Sequence, residues 1–131
     1  MNEMKNSQYG PTITRIALGL LFIIPGLSKL SNPAGIIGML GGLGFFAPAL
    51  WGWVLLLSEI IFGAAVFVGW KVKYTVWPLV IIMLVAGSTV ALPQIGTNPM
   101  AVPITLFHLV AVAALIGVFL TGPGALAVKQ K

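Results

Sequence analysis

The sequence has no cysteine, one histidine and two acidic side chains. Without cysteine, the chain cannot form disulfide relays, thiolate nucleophiles, iron–sulfur clusters or zinc–cysteine sites. Charge is scarce as well: charged residues make up 7% of 131 positions, against about 25% in a soluble domain. A chain with 59% hydrophobic residues and a mean hydropathy of +1.08 cannot present a water-soluble surface. Disorder is excluded too, because it requires low hydrophobicity and high charge. What remains is an integral membrane protein, with residues 1–131 forming one domain. The net charge of +5 does not point to nucleic acid, because the basic residues stand at the ends of apolar runs. They read as topology signals.

A spanning helix needs roughly 20 apolar residues. Four runs meet this, at about residues 12–30, 49–70, 76–92 and 104–121. The first is not expected to be a cleaved signal peptide, since no small-residue cleavage site precedes Lys29 and three more spans follow. Residues 31–48 are apolar but hold Gly35, Gly38, Gly41, Gly42 and Gly44, so this stretch is too glycine-rich to cross. It reads as a re-entrant or interfacial helix between helices 1 and 2, with Asn32 as N-cap and Pro33 at the first helical position. Within it, Gly42-Leu43-Gly44-Phe45-Phe46-Ala47 fits a dinucleotide-binding pattern by chance, since no strand precedes it. The expected fold class is all-α, a membrane four-helix bundle.

With four spans, Lys5, Arg15, Lys71, Lys73, Lys129 and Lys131 share one side and Lys29 alone marks the other. The positive-inside rule then places both termini in the cytoplasm of a multi-pass cell-membrane protein. Trp70, Tyr74 and Trp77 fall at the inner boundary and Trp51 and Trp53 at the outer one, as an aromatic belt does. Pro25 and Pro78 lie inside spans and should kink or locally unwind them. Ala113 and Gly117 form a small-xxx-small pair suited to helix packing.

Few side chains can carry chemistry. Glu59 lies near the centre of the second span, where a carboxylate costs about 2.5–3.5 kcal/mol and is by default a functional candidate. It is the candidate catalytic residue, and a buried structural tie is the alternative. Gly52 and Gly63 share its helical face, so another helix can approach closely. Arg15, Gly19, Phe22, Gly26 and Lys29 form one stripe of the first span, at spacings of three and four. The stripe should face the bundle, with Arg15 or Lys29 reaching Glu59. His108 sits one turn inside the outer end of the fourth span. It reads as a satisfied interfacial residue or as a proton-handling or head-group-binding one, since histidine titrates near neutral pH. A single His and a single intramembrane carboxylate do not make a metal site.

Together these residues resemble the DoxX-like family of small membrane proteins. The resemblance rests on Arg15, Gly19 and Phe22 followed by Gly26-Leu27-Ser28-Lys29-Leu30, and on Glu59 with Gly63 and Gly69. It continues through Lys71 and Lys73, Met83 and Ala86, and ends at Gly122-Pro123-Gly124. The likeness implies a four-helix membrane protein associated with redox chemistry, similar to the small membrane subunit of a thiosulfate:quinone oxidoreductase or to partners of thiol and superoxide detoxification enzymes. Two features depart from the pattern: residues 125–129 carry no acidic residue, and neither does the loop before the fourth helix. Both favour an accessory role.

The leading expectation is therefore a redox-associated, quinone-linked subunit in which Glu59, Arg15, Lys29 and His108 line a polar intramembrane pocket. It would hold no intrinsic cofactor. Its ligand would be a quinone or a lipid, and its partners membrane lipid and other redox subunits or further copies of itself. A non-catalytic scaffold and a small proton-coupled transporter are the alternatives. The chain has no electron-transfer motif and is at most one subunit of an oxidoreductase.

Overall fold

A computed structural model describes residues 2–128; Lys129 and Lys131 of the topology count lie outside the described residues. The described residues form five α-helices and no strand: α1 (Asn2–Ser31), α2 (Pro33–Gly42), α3 (Pro48–Val68), α4 (Val72–Ala86) and α5 (Ala101–Thr121). A π-helical turn, Gly87–Ala91, and a 3₁₀ turn, Leu92–Gln94, extend α4. Four segments are long and apolar enough to cross a membrane: Ser7–Ser31, Pro48–Val68, Val72–Gln94 and Ala101–Thr121. The all-α membrane bundle is thus the fold, with α2 as the short helix between the first two spans.

The span limits differ from the sequence reading for local reasons. Pro48 and Pro103 fall just outside the expected spans but stand in the first turns of α3 and α5, where a missing N–H costs nothing. The second span stops at Val68 because Gly69 turns left-handed (φ 80°). Lys71, also left-handed, launches α4 one residue later. Asn32 and Pro33 flank the start of α2 as expected, although the Asn32 side chain makes no capping hydrogen bond.

Proline does not unwind these helices. Both α1 and α4 run unbroken through Pro25 and Pro78. The irregular turn of the third span comes at Gly87–Ala91 instead, where Ser88 and Thr89 both donate to the Val85 carbonyl. Hydroxyls that bond back to helix carbonyls compete with the backbone ladder, and the glycine adds conformational freedom.

The tightest packing is between α1 and α3, and glycine makes it. A Cβ on Gly26 would come within 3.2 Å of Glu59 Cβ, one on Gly63 within 3.0 Å of Phe22 Cβ, and one on Gly19 within 2.8 Å of Phe67 Cα. The two helices are therefore antiparallel and nearly in backbone contact. Because α1 ends at Ser31, the N-terminal part of α3 is free to meet α2, where Gly52 faces Ile37. Ile36, Leu40 and Leu56 form a small core there, separate from the main core of Leu18, Phe22, Val66, Val76, Leu79, Leu115 and their neighbours. Among the described residues the Ala113–Gly117 pair packs against no other helix: Ala113 is exposed and a Cβ on Gly117 would meet open space.

Candidate functional site

The glycines of the α1–α3 seam bring Lys29 and Glu59 together. Lys29 Nζ donates to both carboxylate oxygens, at 2.8 Å and 2.9 Å. The Glu59 side chain is 6% exposed and that of Lys29 is 28%. A deep carboxylate with an ammonium this close is charge-compensated, which offsets much of the cost of placing it in a bilayer. The lysine stem reaches inward from the last turn of α1, keeping part of its length near the helix end.

Arg15 does not share this pair. It lies 1% exposed at the other end of the seam and binds carbonyl oxygens. Its Nε donates to Pro123 (2.7 Å), and its Nη2 to Ala125 (2.9 Å) and Leu126 (2.6 Å). Its Nη1 donates to Phe67, in the last turn of α3, where orphan carbonyls and the negative end of the helix dipole welcome a cation. Thr12 joins the same knot, its hydroxyl 2.6 Å from the Ala125 carbonyl. Gly124 is required there: its φ is 74°, and a Cβ would lie 2.8 Å from Thr12 Oγ1. So the Gly122-Pro123-Gly124 turn, noted in the sequence only as a motif, folds the C-terminal segment back onto α1. A guanidinium with five donors needs acceptors, and a Gly-Pro-Gly turn leaves carbonyls free. That was the legible signal.

His108 stands apart from both. Its Nδ1 is 2.8 Å from the Ile104 carbonyl of its own helix, and it lines a cleft between α4 and α5. The four candidates therefore occupy three places, not one polar pocket. Among the described residues, no group of three His, Cys, Asp or Glu is placed to hold a metal.

A further concavity was not visible as a site in the sequence. A groove of about 400 Å³ runs between α2, α3 and α4, lined by Leu40, Phe45, Val54, Leu55, Ile82 and Ala86 among others. Ser58 and Thr89 are the hydroxyl-bearing residues in its wall. Ser58 precedes Glu59 on α3 but faces the groove, while Glu59 turns to α1. Exposed Val54, Ile81 and Val85 border it on the outside, so it opens laterally.

Residues 10–92 match the DoxX family. The chain belongs to that family. The stretch matched as DoxX contains Arg15, Lys29, Glu59 and the whole groove, and ends before α5 and His108. No curated protein and no solved structure matches the chain. As a DoxX-family member it is a small multi-pass membrane protein whose buried charges, Arg15 and Glu59, are satisfied within the fold: among the described residues, no buried side-chain nitrogen or oxygen lacks a hydrogen-bond partner.

Proposed function

We propose that this DoxX-family chain is an accessory subunit of a quinone-linked membrane redox complex, and that its lateral groove holds the apolar tail of the quinone. The observation that carries the reading is the groove itself: about 400 Å³, walled almost wholly by carbon and bordered by residues that face the bilayer. Ligand sites are concave and mostly apolar, with a few placed polar groups; here Ser58 and Thr89 supply them. An isoprenoid chain matches that chemistry. The electron-transfer steps belong to partner subunits, because this chain has no cysteine and one histidine with which to hold a redox centre. Lys29 and Glu59 act as the tie that fixes α3, and with it the groove wall, against α1.

Protein purified in mild detergent and extracted with organic solvent should release quinone at near-stoichiometric amounts and should carry co-purifying subunits. Ala86→Phe, which fills the groove from α4, should reduce the quinone released while leaving the fold intact. Equal quinone from wild type and Ala86→Phe would exclude the groove as its site. A second reading, a scaffold without ligand, draws on the internal satisfaction of Arg15, Lys29 and Glu59. It predicts co-purifying subunits with no quinone at all.

A further inference from the structure

A second cleft, of about 240 Å³, lies on the opposite face of α4, between the Gly87–Ala91 turn and α5. It shares no lining residue with the groove. Its walls are mostly carbon, and Ser88, Thr105 and His108 bring the side-chain oxygen and nitrogen atoms. Each of the three already directs a donor at its own helix. Ser88 Oγ donates to the Val85 carbonyl at 3.2 Å and Thr105 Oγ1 to the Ala101 carbonyl at 2.7 Å. His108 Nδ1 lies 2.8 Å from the Ile104 carbonyl. A carbonyl can only accept, so the neutral ring carries its proton on Nδ1 and a lone pair on Nε2. Nε2 has no hydrogen-bond partner among the described residues, and it is not a sealed atom, since none of the buried side-chain nitrogens there is unsatisfied.

The local backbone makes room for this arrangement. Gly87 faces the imidazole, and a Cβ there would come within 3.3 Å of His108 Cβ. A π-helical turn interrupts the regular ladder at the same point, a device that recurs at functional sites. The side-chain groups therefore offer acceptors and no free donor: one imidazole lone pair and two hydroxyl oxygens.

We propose that this cleft binds a membrane-dissolved amphiphile through a hydroxyl that donates to His108 Nε2, with the hydrocarbon portion against Leu84, Leu92 and Leu109. An ether or a ketone of the same size would set acceptor against acceptor and leave Nε2 unpaired, which a polar site rejects. The site is thus selective for hydroxyl donors, whatever occupies the groove on the other face of α4.

The chain has a single histidine, so its imidazole nitrogens are read without assignment ambiguity. The full-length protein, labelled with ¹⁵N-histidine in detergent micelles at a pH where the ring is neutral, is titrated with 4-dodecylphenol or its methyl ether. The two partition into micelles alike and differ in the donor. The ligand-free spectrum should show the proton on Nδ1. The phenol should shift the Nε2 resonance saturably, and the ether should bind about fivefold more weakly or worse. Leu84→Trp, which narrows the cleft from the lipid side, should abolish the shift without changing the ligand-free spectrum. The proposal is overturned by a proton on Nε2 in the free protein. Equal shifts from phenol and ether, or a phenol shift that survives in Leu84→Trp, overturn it as well. Ala86→Phe should leave this titration unchanged, so failure here and failure of the quinone reading are separable.

Discussion

Replacing Glu59 by Gln tests what the Lys29–Glu59 pair does. Two contacts of 2.8 Å and 2.9 Å correspond to a gross attraction of about 6 kcal/mol at an effective dielectric near 20. Desolvation of the two ions offsets most of that, so the pair should be worth little relative to an apolar pair of the same shape. Removing one partner is different, because the other is left uncompensated; such losses run to about 3–5 kcal/mol. Gln keeps one acceptor for Lys29, and the 28% exposure of that side chain lets it turn toward the helix end. The expected loss is therefore near the lower limit, about 3 kcal/mol. Glu59→Gln combined with Lys29→Met removes both charges and should return stability to within about 1 kcal/mol of wild type. Unfolding in mixed micelles, followed by the fluorescence of the four tryptophans, supplies the free energies. The same preparations are extracted for retained quinone and scored for co-purifying subunits. Additive single-mutant effects would refute the tie. A double variant that is stable but has lost its ligand or its partners would also refute it, by showing that the charges themselves act on something beyond the fold.

Cysteines placed singly at positions 4 and 98 of this cysteine-free chain should label from opposite sides with an impermeant thiol reagent, because three spans separate them; labelling of both from one side would overturn the four-span topology. Gly19→Ala should destabilise the bundle by about 1–3 kcal/mol, because its methyl would meet the Phe67 backbone at 2.8 Å. Gly117→Ala, with open space around it, should be neutral or stabilising by up to about 1 kcal/mol in the same unfolding assay. Arg15→Gln should free the C-terminal segment from α1, read as faster proteolysis after Gly122 with the spanning helices still intact by circular dichroism.

The bundle was legible because bilayer thickness imposes a length that only four runs meet, with charges and tryptophans at their ends. The α1–α3 seam was legible as well: Gly19, Phe22 and Gly26 recur at helical spacing opposite Gly63. What periodicity could not decide was which cation meets Glu59, because Arg15 and Lys29 stand at similar axial offsets from it. The choice fell to the far end of the chain, whose carbonyls claim Arg15. Helical periodicity reports no contact between residues more than a hundred positions apart; the free carbonyls of the Gly-Pro-Gly turn are the one hint of it. The groove was invisible for a related reason. Its lining is ordinary apolar sequence, and it becomes a concavity only because α2 packs beside α3 and leaves a space next to α4. The π-helical turn at Gly87–Ala91 carries no such signal either: Pro78 is the stronger breaker by sequence, yet α4 runs through it, since a proline inside a packed span finds its freed carbonyl tolerated.

The Arg15 knot also sets a clock on biosynthesis. Three of its acceptors lie 108 to 111 residues downstream of it. At a synthesis rate of about 5–20 residues per second, the arginine waits roughly 5–20 s before those carbonyls exist. Throughout that interval α1, Asn2–Ser31, holds near its middle a guanidinium whose final coordination is incomplete. The first span must therefore rest provisionally, with Arg15 turned to water or lipid phosphate. Maturation is complete only when the last turn of the chain comes back to collect it.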